Sequence, residues 1–277
     1  MASCNGQCSA WILPMIFVRS LVFNIAFYLS LIAQMIVLTP IYFLTERKKA
    51  WFVPKNWARS NLWLQKVIVG CDHVIEGLEH IPDTACIIAP KHQSFWDAYA
   101  FVPIVPDPVY ILKRELMWIP LFGWYVGKMR MIPVHRGSKA VALKSITDGA
   151  RRTIADNRQI MIYPEGTRRA PGDEPSYKFG VAHLYAELGL PVVPIAHMAG
   201  LYWPRRKFMR YPGTINCRVL PPILPGLNKQ DFLSELQRVT EAACDEFLVE
   251  AASGPNPPPM PPTAVKRLKE LGVTLPQ

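Results

Sequence analysis

A chain of 277 residues that is 50% hydrophobic, with 27 prolines and 8 tryptophans, is neither disordered nor collagen-like and has room for one sizeable domain with accessories. Its formal charge of +10 calls for an anionic partner. No RNA-recognition, zinc-finger or helix-turn-helix signature accompanies that charge, so acidic lipid headgroups and phosphorylated substrates are favoured over nucleic acid.

The first elements are apolar. Residues 11–18 form one hydrophobic stretch interrupted by Pro14, and residues 20–45 carry no charge at all. The uninterrupted run before Pro40 is long enough to cross about 30 Å of hydrocarbon as a helix. The same run could instead lie in the interface, and either reading anchors the protein to a bilayer. Glu46, Arg47, Lys48 and Lys49 follow at once, which places the rest of the chain on the cytoplasmic side. A basic region ahead of the apolar run and a small-x-small cleavage site, the marks of a secretory signal, are both missing. Six scattered cysteines (Cys4, Cys8, Cys71, Cys86, Cys217, Cys244) without a C-x-x-C pair suit the same reducing setting.

Beyond this anchor (residues 1–50), an amphipathic helix is expected over 56–69, then strands alternating with helices in the manner of an α/β layer fold. Strands are read at 74–77, 85–90, 109–113, 131–135, 159–163, 192–197 and 213–221. Helices are read at 95–102, 120–127, 139–157, 178–188 and 229–251. The domain is expected to run from 51 to 253. The proline-dense GPNPPPMPPT stretch then reads as an extended linker, and the last dozen residues of the 254–277 segment as a loosely attached tail.

Chemistry concentrates where two of these strands end. In ACIIAPKHQSFWD a buried strand runs into a polar turn and a helix, the place where open α/β sheets bind ligands. His92 and Asp97 are five residues apart, about 140° around a regular helix, so a turn must bring them together. Asp97 could then accept the Nδ1 proton of His92 and leave Nε2 free to take a proton from a hydroxyl, as in a serine-protease triad without its serine. Ser94 and Asp97 also fit the capping box S-x-x-[DE], which would give Asp97 a purely structural task; the two roles are compatible.

The second site-like stretch is QIMIYPEGTRR, a strand followed by a turn holding Glu165, Gly166, Thr167 and Arg168. Gly166 lets backbone approach a ligand, Thr167 can donate to an anion, and Arg168 or Arg169 offers a planar fork suited to phosphate. A solvated turn with Glu165 paired to Arg168 is the plainer alternative. Lys113 and Arg136 also follow strands, and if those strands are parallel the cations gather at one sheet edge. The run LYWPRRKFMR at 201–210 mixes aromatic and basic residues like a membrane contact, or like a packed loop. The remaining histidines show no metal-ligand spacing, and glycine-rich nucleotide loops are absent from the sequence.

In combination these blocks resemble the glycerolipid acyltransferases. The H-x-x-x-x-D form of His92 to Asp97 and the E-G-T-R block of Glu165 to Arg168 carry the resemblance. The Lys113-Arg114-Glu115-Leu116 block, residues 132–136 and PVVPIA at 191–196 stand in the family order, over roughly residues 74–225. The resemblance, closest to bacterial 1-acylglycerol-3-phosphate acyltransferases, implies a mixed, largely parallel sheet flanked by helices. It implies His92 as general base and Asp97 as its orienting partner, with Glu165, Gly166, Thr167, Arg168, Lys113 and Arg136 binding the substrate. It also implies a lysophospholipid acceptor, acyl-CoA or acyl carrier protein as co-substrate, no cofactor or metal, and a place on the cytoplasmic side of the inner membrane. His135 and His197-Met198-Ala199 depart from the family pattern, near the pocket that would choose the acceptor. Glycerol 3-phosphate or a lyso-aminolipid as acceptor, and a non-catalytic protein that binds anionic lipid, are the rival readings.

Overall fold

The computed structural model describes residues 5–134 and 139–273. Helix α1 (Asn5–Leu44) is continuous through Pro14 and Pro40, and its stretch Leu13–Leu44 is long and apolar enough to cross a membrane. One side of it is docked: Phe23, Phe27 and Tyr42 are buried in the main core. The other side exposes Leu21, Ile25, Leu29, Ile32 and Ile36, an apolar face of the kind that lipid or another protein covers. After the single turn α2 (Arg47–Ala50), helix α3 (Phe52–Leu64) starts four residues before its expected position. Pro54 permits this, because in the first turn its missing N–H would have had no helical partner anyway. A π-helical turn, Gln65–Val69, and Gly70 end the helix.

The remaining elements follow the expected alternation: β1 (Cys71–Glu76), β2 (Cys86–Pro90), α4 (Asp97–Ala100), β3 (Pro108–Lys113), α5 (Phe122–Lys128) and β4 (Ile132–Val134). Then come α6 (Lys139–Ala155), β5 (Gln159–Met161), α7 (Phe179–Leu188), β6 (Val192–His197), α8 (Ala199–Tyr202), β7 (Gly213–Val219), α9 (Lys229–Ser253) and α10 (Pro262–Glu270). The seven strands form one sheet in the order β1-β7-β6-β2-β5-β3-β4. The run from β6 to β4 is parallel throughout, while β7 is antiparallel to β6 and parallel to β1. The sheet is therefore mixed and largely parallel, as expected. The carboxyl ends of β2, β5, β3 and β4 share one edge, which is what the gathering of cations required.

Every residue of β2 and β6 is buried, the pattern of central parallel strands covered on both faces. Alternate residues of β2 serve opposite layers: Ile87 and Ala89 face a cluster with Leu184, Tyr185, Phe232 and Leu236, whereas Cys86 and Ile88 join the cluster that holds α1 and α3. Each fully buried aliphatic side chain contributes about 1.5–3 kcal/mol, so the layers hold the strand ends firmly. Asn228 caps α9 by accepting from the N–H groups of Gln230 and Asp231 at 3.0 Å each.

The C-terminal segment corrects an expectation. The last residues were expected to be a loose tail, but α10 is docked, with Ala264 and Leu268 fully buried. The Arg267 guanidinium grips both oxygens of Asp245 at 2.9 and 2.5 Å, and the Thr263 hydroxyl donates to the Pro171 carbonyl at 2.7 Å. Composition misled here because two apolar residues four apart suffice to bury one face of a short helix. Gly172 lies directly beneath, at φ +71°, where a Cβ would sit 2.7 Å from the Ala264 Cα. Gly172→Ala is expected to cost about 1–3 kcal/mol from the left-handed backbone conformation alone, and more if α10 must shift. A thermal melt against wild type measures it.

Candidate active site

The turn after β2 is built around one carboxylate. Asp97 Oδ1 accepts from His92 Nδ1 at 2.8 Å, while Oδ2 accepts from the backbone N–H groups of Gln93 and Ser94 at 2.8 and 2.7 Å. The Ser94 hydroxyl in turn accepts from Trp96 N at 3.2 Å. Asp97 thus serves both readings of the motif: it reaches back to the start of the turn as a capping box does, and it holds the imidazole. These commitments keep regular helix from starting until Asp97, two residues later than expected. An ionised carboxylate only accepts, so Nδ1 carries the proton and Nε2 keeps its lone pair. Asp97 is fully buried, whereas the His92 side chain retains 14% exposure and stacks on Tyr163 at 4.0 Å between ring centres.

The turn after β5 is tied to the first. Arg169 N donates to His92 O at 2.8 Å, and the Tyr163 hydroxyl donates to Asp97 O at 3.0 Å. Gly166, at φ +64°, closes this turn by donating to Tyr163 O at 3.0 Å, and Gly166 and Thr167 are both exposed. Of the two arginines left open by the sequence, Arg169 is paired with Asp173 at 3.0 Å. Arg168 has no carboxylate partner among the described residues and rests its guanidinium over the Phe95 ring at 5.4 Å.

Glu165 points the other way. It is fully buried, 3.0 Å from Lys91 Nζ, and its other oxygen accepts from His92 N at 3.3 Å. It is therefore not paired with Arg168 in solvent, and its carboxylate braces the backbone of His92 rather than facing the open side of the turn. Lys91 also meets Glu241 of α9 at 2.5 Å, and Tyr177 donates to the same Glu241 oxygen at 2.9 Å. Burial would lower the Lys91 ammonium, but Glu241 and Glu165 outweigh it and hold the group charged; burial pushes the Glu165 carboxyl above its usual range.

Lys113 lies exposed at the end of β3, on the same sheet edge and two strands from β2. Arg136, together with His135, lies outside the described residues. Sequence reasoning assigned no role to Lys91, Glu241, Tyr163 or His197. His197 had been noticed only as a departure from a pattern. It is buried, with Nε2 donating to Lys91 O at 2.7 Å and Nδ1 accepting from Ala199 N at 3.2 Å, so it is a neutral strut under the turn that carries His92. Burial lowers its pKa, consistent with that state. The polar residue at the end of a fully apolar strand was the available signal for both Lys91 and His197.

A buried carboxylate orienting an imidazole, beside an arginine with no carboxylate partner among the described residues and at the carboxyl edge of parallel strands, is the kind of site an acyltransferase would use to activate an acceptor's alcohol. Residues 73–198 match the family model described as Acyltransferase. A 1-acyl-sn-glycerol-3-phosphate acyltransferase of Pseudomonas aeruginosa is 34% identical over 232 residues, covering 82% of this chain and 90% of that protein. The chain belongs to the 1-acyl-sn-glycerol-3-phosphate acyltransferase family. The human beta form is 32% identical over 59% of this chain and 60% of its own length. The crystal structure of the 1-acyl-sn-glycerophosphate acyltransferase PlsC from Thermotoga maritima shares the fold, with a TM-score of 0.70 at 22% identity over 83% of this chain and 96% of that one.

Proposed function

We propose that this protein transfers a fatty acyl group from a thioester to the sn-2 hydroxyl of lysophosphatidic acid, giving phosphatidic acid. The observation that carries the reading is the 2.8 Å contact between His92 Nδ1 and Asp97, which leaves Nε2 available as a base, with no hydrogen bond to a protein hydroxyl among the described residues. His92 takes the hydroxyl proton as the alcohol oxygen attacks the thioester carbonyl. The C–S bond then breaks, and the imidazolium returns the proton to the leaving thiolate. Asp97 stabilises the imidazolium while it lasts, and backbone N–H groups near Gly166 are suited to the oxyanion. Arg168, Thr167 and Lys113, with Arg136, hold the acceptor's phosphate, while Glu165 keeps the turn in place. The donor is acyl-CoA or acyl carrier protein.

The exposed apolar face of α1 supports a place at the bilayer, with residues 51–253 as the catalytic domain on the cytoplasmic side of the inner membrane. A lysolipid can then reach His92 without exposing its chain, whose burial is worth about 0.8 kcal/mol per methylene. The test is a panel of acceptors (lysophosphatidic acid, glycerol 3-phosphate and a lyso-aminolipid) assayed with either thioester and the purified full chain. Phosphatidic acid from lysophosphatidic acid is expected to dominate; preferential use of another acceptor overturns the assignment. Arg168→Ala is expected to raise the apparent KM for lysophosphatidic acid about tenfold or more with little change in kcat, because a charge-assisted contact to phosphate is lost in ground and transition state alike.

A further inference from the structure

The basic and aromatic run at 201–210 is not accounted for by the chemistry above. Between it and α1 lies a cavity of about 190 Å³ whose wall holds Arg168, Arg205, Arg206, Lys207 and Arg210, and no carboxylate. None of these five cations has an acidic partner among the described residues. Arg205 donates from its guanidinium to Arg168 O at 2.5 Å, which couples this loop to the turn after β5. Arg210 is 9% exposed and spreads over the Trp203 ring at 4.2 Å. It donates to Asn24 Oδ1 on α1 at 3.1 Å and to three carbonyls of its own loop, yet its buried Nε has no hydrogen-bond partner among the described residues. Burial lowers Arg210 to about 10, against a smaller opposing pull from Tyr99 and Tyr28.

Five like charges around so small a space repel one another and favour an anion between them. Tyr28 of α1 lines the cavity and is itself exposed, as are Leu21, Ile25 and Leu29 on the same helix, so an anion seated there can carry a hydrocarbon tail along the helix. A phosphomonoester suits the site better than a diester, since it brings a charge of about −1.5 to −2 and three strong acceptor oxygens.

We propose that Arg205, Arg206, Lys207 and Arg210 form, with Arg168, a cradle for the phosphomonoester of the lysolipid acceptor, and that this cradle selects monoester over diester headgroups. The proposal rests on the acyltransferase reading and extends its headgroup site to a loop outside the motifs that identify the family.

The test uses the full chain in neutral detergent micelles without anionic lipid. R205Q/R206Q/K207Q changes only exposed side chains, and a thermal melt confirms that the variant is folded. Its apparent KM for lysophosphatidic acid is expected to rise about tenfold or more, with kcat and the KM for the thioester nearly unchanged, since several charge-assisted contacts are lost together. Its preference for lysophosphatidic acid over lysophosphatidylglycerol is expected to fall, and R205K/R206K to retain most of it. An unchanged acceptor KM overturns the cradle. So does a KM effect that appears only when phosphatidylglycerol is added, which would assign the cavity to bulk bilayer lipid. Glycerol 3-phosphate is expected to inhibit wild type competitively against lysophosphatidic acid, and the triple variant more weakly; equal inhibition of both also counts against the cradle. If Arg168→Ala still raises the KM while the triple variant does not, the cradle fails and the acyltransferase reading stands. That reading falls separately if His92→Ala remains active.

Discussion

His92→Ala is expected to lower kcat by about 10²–10⁴-fold, the range a positioned general base supplies, while leaving the acceptor KM nearly unchanged. The reason is geometric. The phosphate contacts proposed at Arg168 and its neighbours do not involve the imidazole, so the lysolipid still binds but its hydroxyl keeps its proton. The folded state should survive, because the ring is partly exposed and gives up only its stacking on Tyr163 and one hydrogen bond to Asp97. Asp97→Asn should reduce kcat in the same way, since its amide can present N–H to the ring and reverse the tautomer. Combining the two changes should cost little more than either, as expected for groups that act as a unit. Phosphatidic acid formation and thiol release by purified variants measure the effect, and near-normal turnover by His92→Ala would falsify the base assignment.

Lys91→Met should produce the largest loss of stability, about 3–5 kcal/mol, because it removes the counter-ion from a carboxylate that stays buried. Glu165 is fully buried and has Lys91 at 3.0 Å, and without that ammonium its remaining neighbours are the His92 N–H and the charge of Glu241. The loss should depend on pH. A carboxyl raised in the folded state binds its proton there before it does in the unfolded chain, so its stabilising contribution is present at low pH and lost as pH rises through the folded value. Removing Lys91 raises Glu165 further, so the deficit of the variant should be greatest near neutrality and shrink on acidification. Lys91→Met with Glu165→Gln should recover part of it. Urea denaturation at several pH values reads all of this, and a variant as stable as wild type at neutral pH would show that the pair is dispensable.

Much of the fold was legible in the residue pattern because its strands are buried on both faces. A run such as CIIAP or VVPIAH leaves little alternative to a central strand, and the bounds expected for the latter coincide with β6. The chemistry-bearing turns were legible for a related reason: polar residues placed directly after apolar strands mark the edge where ligands bind. The roles within those turns were not legible. Whether Glu165 faces solvent or core depends on Lys91 and Glu241, which come from separate parts of the chain. Which of Arg168 and Arg169 is free depends on how the folded turn aims them, since Asp173 lies only four residues beyond Arg169. The docking of α10 was hidden likewise, since its acceptor surface is built from Pro171, Gly172 and Asp245.

By itself the sequence determined the alternation of strands and helices and the apolar N-terminal helix, and it offered the pairing of His92 with Asp97 across a turn beside a purely capping role for Asp97. Those follow from periodicity and short-range geometry, which act within a few residues. Only the tertiary structure decided the strand order, the inward turn of Glu165, the strut made by His197 and the cluster of cations beside α1. Each of these depends on the balance of charge, burial and hydrogen bonding among residues distant along the chain, such as Arg205 and Arg168, 37 positions apart, and Arg210 and Ser20, 190 apart, and no local pattern encodes that balance.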